Sequence, residues 1–392
     1  MGITDRPYRV VVAGAGVAGL ETVLALRELA HDLVDVEVLA PEGDFVYRPL
    51  SVVEPFSSGS LYRFPLGELL GAQGARHCRD ALAAVRPVEG RLTTGGGGVL
   101  EYDSLVVACG GRQVEGLPGA LTFRGSDDRD ALRSLIEELA AGSTGQVVFA
   151  VPGGSGWVLP LYELALLTSA WLEAQAAPRA SLVLVTPEPA PLAQFGPAAS
   201  EAVALLLRER GIDVVPGTYA VAVENGVLRT TAERSIPADR VVTLPRLEGP
   251  RIDGLPCDDD GFLPIDEHGA VHGAPDVYAA GDATTFPVKQ GGIATQQADA
   301  VAEAIAARVG VRIVPRPFRP VLRGLLLTGG EPRFLRTELG GGRGEASQVA
   351  AEPLWWPPSK VAGRYLAPYL ARLVGEIAEP SPAGAVAVDV EL

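Results

Sequence analysis

Cysteine is scarce in this chain, and its spacing excludes more than its number does. Cys78, Cys109 and Cys257 stand far apart, with no CxxC or CxxxxC among them. That excludes a disulfide framework, a zinc site of the usual spacing and a dithiol redox pair, and it fits a reducing compartment. No metal site is expected. Positive charge is also in deficit: 33 Lys plus Arg against 48 Asp plus Glu leave a net charge of −15. The imbalance argues against nucleic acid as a partner and gives no electrostatic pull toward anionic lipid. No charged stretch followed by an apolar one opens the chain, so no signal peptide is expected. Nowhere do about 18 apolar residues run uninterrupted, so no helix should span a membrane. The expected location is the cytoplasm, with the inner face of the membrane as the alternative.

What the chain does have is apolar mass and glycine. A content of 47% hydrophobic residues over 392 positions supports a large core and two or three domains. The organising stretch runs from Tyr8 to Glu42. A β-branched run, Val10 to Val12, feeds Gly14-Ala15-Gly16-Val17-Ala18-Gly19, and an apolar helix pattern follows through Leu20, Val23, Leu24, Leu26 and Leu29. A second run, Val36 to Leu39, completes strand, glycine turn, helix and strand within about 30 residues, the setting that gives a GxGxxG its meaning. Gly14 allows the tight turn, Gly16 admits a pyrophosphate to the backbone, and Gly19 lets helix and strand pack closely. An ADP-containing dinucleotide is expected here. Its ribose carboxylate usually stands at the tip of the second strand, but that tip is Ala40. Glu42 is the candidate, against the plainer reading of a solvated loop carboxylate.

Residues Phe45 to Phe56, with two prolines and no clear period, predict an ordered loop beside the cofactor turn. Arg48 in it is placed to pair with a phosphate or a reduced ring, or else forms a structural ion pair. A helix is expected from Pro65 to Leu70, a strand near Ala81 to Val85, and a hairpin with its tip at Gly95 to Gly98. The strand Ser104 to Val107 then ends in Ala108-Cys109-Gly110, small residues against which a cofactor can lie. Cys109 is thereby a redox candidate, although a buried cysteine usually serves as a small apolar filler.

The pattern restarts at Gln146. A strand to Val151, the turn Pro152-Gly153-Gly154-Ser155-Gly156, a helix Leu159 to Leu172 and a strand Ser181 to Val185 form a second βαβ unit. Its turn departs from GxGxxG, because Leu159 stands where the third glycine belongs and Pro160 follows. If the unit takes NAD(P)H, then Gly154, Gly156 and Glu188 are its ligands. Glu163, on the apolar helix beyond the turn, is either a proton-handling group or a paired structural acid. A helix Ala198 to Arg210, a strand Ile212 to Val215, a hairpin around Asn225 and a strand Arg240 to Leu244 close the unit. Cys257 sits among Asp258, Asp259 and Asp260, which disfavour a thiolate, and reads as structural.

Downstream, the strand Val277-Tyr278-Ala279-Ala280 ends in Gly281-Asp282, and a helix opens at Gly292-Ile293. Asp282 so placed can accept from a sugar-like hydroxyl, and the helix start can face a ring carbonyl that gains charge on reduction. Lys289 is the candidate to stabilise that anion, with a solvated lysine as the alternative. Strands are expected at Arg319 to Leu327 and Arg333 to Leu335. Trp355-Trp356-Pro357-Pro358 precedes an apolar helical segment interrupted at Pro368, which either touches a bilayer interface or packs on the core or a partner subunit. Residues from Glu379 on read as loose.

Together, Gly14-x-Gly16-x-x-Gly19, the strand into Ala108-Cys109-Gly110 and Tyr278-Ala279-Ala280-Gly281-Asp282 resemble the two-dinucleotide-domain flavoprotein superfamily. Tyr47-Arg48-Pro49-Leu50, Pro287-Val288-Lys289 and the Trp-Trp-Pro-Pro segment resemble its branch of type II NADH dehydrogenases and sulfide:quinone oxidoreductases. The resemblance implies FAD held by Gly14, Gly16, Gly19 and Asp282, with the isoalloxazine between two domains. It also implies an α/β fold of two Rossmann-like domains, the second inserted in the first. The boundaries are then 1–115 with 250–312 for FAD, 120–247 for the second unit and 313–392 for a small C-terminal domain. Cys109 replaces the family's usual threonine, and Ala40 its acidic strand tip. A sulfide oxidase of this branch has one cysteine in the second domain and one after Gly-Asp, and this chain has neither.

The leading expectation is an FAD-dependent oxidoreductase that moves electrons from NAD(P)H to a quinone-like or other small acceptor. A sulfide:quinone oxidoreductase-like protein without the cysteine pair, and a flavin-bound redox sensor without turnover, are the alternatives. A homodimer and peripheral membrane contact are compatible with either.

Overall fold

Two five-stranded parallel sheets carry the chain, each built where β-branched runs alternate with apolar helices. The computed structural model describes residues 6–57, 61–177, 180–339, 347–375 and 386–387. The first sheet has the order Val277–Ala279, Ser104–Val107, Tyr8–Ala13, Val34–Leu39, Arg76–Cys78, and every pairing is parallel. Val10 to Val12 and Leu105 to Val107 are fully buried, as continuous apolar runs in a sheet covered on both faces must be. Helix α1 (Val17–Ala30) follows the first strand. The strand order reverses between Tyr8–Ala13 and Ser104–Val107, so the ends at Ala13 and Val107 form the switch point where open α/β sheets collect ligands.

The second sheet has the order Leu121–Thr122, Arg240–Thr243, Gln146–Ala150, Ser181–Val185, Ile212–Val215, again all parallel. It carries helices α2 (Arg129–Ala140), α3 (Leu159–Ala174) and α4 (Pro197–Glu209). All of it lies in sequence between two strands of the first sheet, so the second unit is inserted in the first, as the resemblance implied. Two crossings, Arg112–Val114 and Arg246–Glu248, pair antiparallel at the junction. The helix Arg129–Ala140 was not anticipated from sequence, although Leu132, Leu135, Ile136 and Leu139 bury one clean face of it.

The chain then re-enters the first unit, and helix α5 (Gly291–Arg308) packs along α1. Ala298, Ala302 and Ala306 are buried in that contact region, small side chains that let the two backbones approach. An antiparallel sheet of Val321–Leu326, Arg333–Glu338 and Gln348–Ala350 and helix α6 (Leu366–Leu373) complete the described chain.

Two expectations are corrected. Residues 45–56 are a strand, Asp44–Val46, and a 3-10 helix, Arg48–Phe56, a conformation whose tighter turns suit the two prolines. Pro368 does not interrupt a helix: α6 starts at Leu366 and holds it in the first turn, where a missing N–H costs nothing. Of the two readings of the Trp-Trp-Pro-Pro segment, packing on the core holds for Trp355, which is 1% exposed and lies edge-on to Phe334 at 5.0 Å. The tail from Glu379 lies outside the described residues except Val386–Ala387, which pair with Trp355–Trp356. Among the described residues no helix is long and apolar enough to cross a membrane.

Leu26 is fully buried on α1. Leu26→Ala should lower the unfolding free energy by about 2–5 kcal/mol, the usual cost of such a cavity, as measured by urea denaturation.

Candidate functional site

The first glycine turn shows what each glycine is for. Gly14 has φ of +111°, and a Cβ there would stand 2.3 Å from the Ala108 carbonyl oxygen. Its N–H donates to the Leu39 carbonyl at 2.8 Å, so one residue pins three strand ends together. A Cβ at Gly19 would stand 1.9 Å from the Gly14 carbonyl oxygen, which makes Gly19 the packing glycine expected. Gly16 differs from both. Its φ of −78° suits any residue, and a Cβ on it would meet nothing within 4 Å. Neither backbone nor packing calls for glycine there; a ligand that lies against the backbone does. Gly16 is also the N-cap of α1, and no side chain caps that helix. Its first-turn N–H groups are thus open to an anion, and the residues fit the pyrophosphate of a dinucleotide.

That turn opens into a cavity of about 870 Å³, large for a ligand site. Gly14, Ala15, Gly16, Val17, Ala18, Glu42, Arg48, Ala108, Cys109, Gly110, Gly281, Asp282 and Lys289 all line it, although they come from four separate stretches of sequence. Glu42 and Arg48 are solvent-exposed at its edge. Gly292 and Ile293 do not line it. The helix begins at Gly291; Ile293 turns into the core of the second unit, and its N–H is taken by the Gln290 side chain at 2.9 Å. Gln290, Gly291 and Ala294 face the cavity instead.

Burial sets the protonation of the polar groups here. Cys109 is open to the cavity, and desolvation by the cavity walls pushes its thiol up to about 11, which leaves a neutral thiol at pH 7 and no nucleophile. Desolvation likewise pulls Lys289 down to about 8, against the opposing charges of Asp282 and Asp258. The Lys289 ammonium donates to the backbone carbonyls of Asp282, at 3.3 Å, and Thr284, and lies 3.7 Å from the centre of the Phe262 ring. Asp282 is raised by burial and held down in part by Lys289.

The second glycine turn is built differently. Seven residues beyond Ala150 precede Val158, and α3 starts only at Leu159. Pro160 has no N–H, Leu161 donates to the Val158 carbonyl at 3.0 Å, and Leu159 and Leu161 are buried; this helix start offers little to a phosphate. Gly156 is glycine for another reason: a Cβ there would stand 2.4 Å from Lys289 Cγ. Gly154 is exposed outside the cavity. The Glu188 carboxylate, raised by burial, accepts from Tyr162 Oη at 2.8 Å and Thr186 Oγ1 at 3.2 Å.

Glu163 is fully buried and paired: its carboxylate accepts from Lys360 Nζ at 2.5 and 2.7 Å and from the Leu327 N–H at 2.9 Å. Burial raises its pKa and Lys360 opposes the rise. Lys360 itself lines the cavity, and reasoning from sequence passed it over. The signal was compositional. Lys289 and Lys360 are the only two lysines among 33 basic residues, and both face the same cavity. A compact ammonium is used nowhere else in the chain.

Three substitutions test this site. Gly16→Val should cost the flavin-free protein no more than about 1 kcal/mol in thermal unfolding, the usual range for a poorer N-cap, while weakening FAD binding by at least about tenfold in titration calorimetry, about 1.4 kcal/mol. Lys360→Met should cost about 3–5 kcal/mol in denaturant unfolding by stranding the Glu163 carboxylate, and Glu163→Met added to it should recover most of that loss.

The model of the pyridine nucleotide-disulphide oxidoreductase family matches residues 8–305. An NADH dehydrogenase-like protein of Mycobacterium tuberculosis (strain CDC 1551 / Oshkosh) is 28% identical over 289 residues, 70% of this chain and 72% of that protein. The sulfide-quinone reductase of Aquifex aeolicus (strain VF5) is 27% identical over 261 residues, 62% of this chain and 59% of that one. The solved structure of the sulfide:quinone oxidoreductase from Aquifex aeolicus superposes with a TM-score of 0.76 at 20% identity, covering 88% of this chain and 87% of that one. With its family's model matched across both sheets and a turn that fits the cofactor, the chain belongs to the pyridine nucleotide-disulphide oxidoreductase family as an FAD-dependent oxidoreductase.

Proposed function

We propose that the protein passes electrons from NAD(P)H to a quinone-like acceptor. One observation carries the acceptor: the cavity that takes in the glycine turn also takes in Trp157, Leu159, Pro160, Leu325 and Val361. A quinone is a flat apolar body whose two oxygens gain protons on reduction. Those side chains suit the body, and Lys360, backed by Glu163, is placed to donate to an oxygen. FAD, when bound, supplies hydride acceptance and electron delivery. The chain supplies position and charge: the α1 N-terminus for the pyrophosphate, Asp282 for a ribityl hydroxyl, and Lys289 beside it as a cation that titrates close to neutral pH.

The NADH dehydrogenase-like relatives support NAD(P)H as donor. The second turn favours another reading, in which a small reductant replaces the nicotinamide. Its helix start is buried and its carboxylate is already engaged by Tyr162. The missing cysteine pair then requires a route without a persulfide on the family's usual residues.

Anaerobic mixing of the flavin-loaded protein with NADH, NADPH or sulfide, followed in the visible spectrum, separates the two. NAD(P)H should bleach the oxidised flavin band, and a short-chain quinone should restore it. A band left intact by both nicotinamides overturns the donor assignment, and bleaching by sulfide alone favours the second reading.

A further inference from the structure

Gln297 lies inside α5 and is 1% exposed, with the buried Ala294, Ala298 and Val301 around it on the same helix. A primary amide in such a place is costly unless its hydrogen bonds are made. Gln297 makes them to one object, the 3-10 turn Gly281–Ala283 with Thr284 at its end. Its Oε1 accepts from the Gly281 N–H at 2.7 Å, and its Nε2 donates to Thr284 Oγ1 at 3.4 Å. Thr284, fully buried, turns back to the start: its Oγ1 donates to the Gly281 carbonyl at 2.9 Å and its N–H to the same oxygen at 3.1 Å. The amide therefore closes a ring of hydrogen bonds that spans the turn from end to end.

The ring has little slack. Gly281 has φ of +76°, and a Cβ there would stand 3.2 Å from Ala18 Cβ and 3.3 Å from Ala294 Cβ, so the turn is pressed between the starts of α1 and α5. The Lys289 ammonium holds the carbonyls of Asp282 and Thr284. The Asp282 carboxylate is treated differently. It feels Lys289 through charge, takes no hydrogen bond from the described residues, and lines the cavity. The hydrogen bonds of the turn are thus directed inward and its carboxylate outward. The neighbouring Gln296 has another task, accepting from the Val321 N–H at 2.8 Å and donating to the Val321 carbonyl at 2.9 Å, which ties α5 to the antiparallel sheet.

We propose that Gln297 is a positioning residue for the cofactor: it fixes the Gly281 to Thr284 turn so that Asp282 presents its carboxylate before FAD arrives. Gln297 does not line the cavity and acts only through the turn. A turn already held loses less conformational freedom when a ligand binds, and affinity rises accordingly. The inference rests on the reading of Asp282 as a ligand of the ribityl chain.

Titration of the full chain with FAD at pH 6 tests it. Gln297→Met, close in volume and unable to make either bond, should weaken FAD binding by about tenfold, the scale of one lost buried hydrogen bond. Gln297→Glu, neutral when buried and able to make both bonds, should stay within about threefold of the wild type. In an Asp282→Ala background, Gln297→Met should cost less than about a further twofold, because a turn without its carboxylate gains little from being held. Where Gln297→Met does not fold, Thr284→Val serves in the same cycle with a smaller loss, about threefold. Wild-type affinity in Gln297→Met, a Gln297→Glu protein as weak as Gln297→Met, or an undiminished loss in the Asp282→Ala background would each overturn the proposal. A wild-type chain that takes up no FAD would overturn the cofactor reading instead.

Discussion

Everything in this molecule depends on how closely the backbone of Gly14 approaches its neighbours. Within that one turn the Ala108 carbonyl, the Gly19 Cα and the Leu39 carbonyl converge on a residue with no side chain and a positive φ. The convergence brings the carboxyl ends of three strands to one point and aims an uncapped helix start at the space above them. The turn suits an anion because the helix-start N–H groups have no side-chain cap and face the cavity. The first domain is accordingly organised around an absent Cβ.

The two nucleotide-type units share a sheet topology and differ in that turn. In the first, three residues link strand and helix, and the glycine nearest the ligand has free space. In the second, a longer loop ends in a proline-bearing helix start buried in apolar side chains, and its last glycine is filled by Lys289. The second unit has thereby become a wall of the first unit's site. Gly156 and Lys289 lock the inserted unit to the flavin side, and Glu163 with Lys360 locks it to the C-terminal segment. The only lysines in the chain sit at those two junctions.

What could be read from sequence was what local spacing encodes. Gly14-x-Gly16-x-x-Gly19 and Gly281-Asp282 each declare themselves within a few residues, and the structure brings both to one cavity. Apolar runs gave four strands of each sheet and missed the short edge strands Arg76–Cys78 and Leu121–Thr122. Partners distant in sequence were another matter. Glu163 was recognised as an unusual acid in an apolar helix, but its partner lies 197 positions away, and nothing in local pattern joins them. Glu21 on α1 accepts from the Tyr365 amide, 344 positions away, and passed as one more polar residue in a helix. The start of α5 was misplaced by one residue because a glutamine cap at Gln290 is less conspicuous than Ser or Asp. Ile293, expected at the cavity, packs in the core of the second unit.

The central claim is that FAD lies across the carboxyl ends of the first sheet, between Gly16 and Asp282. Its most direct measurement is the crystal structure of the chain purified with its bound flavin, or soaked with FAD. The account predicts the pyrophosphate against Gly16 and the first turn of α1, with ribityl oxygens within hydrogen-bonding distance of Asp282. A chain that takes up no FAD, or one that holds it in the second unit, would contradict it.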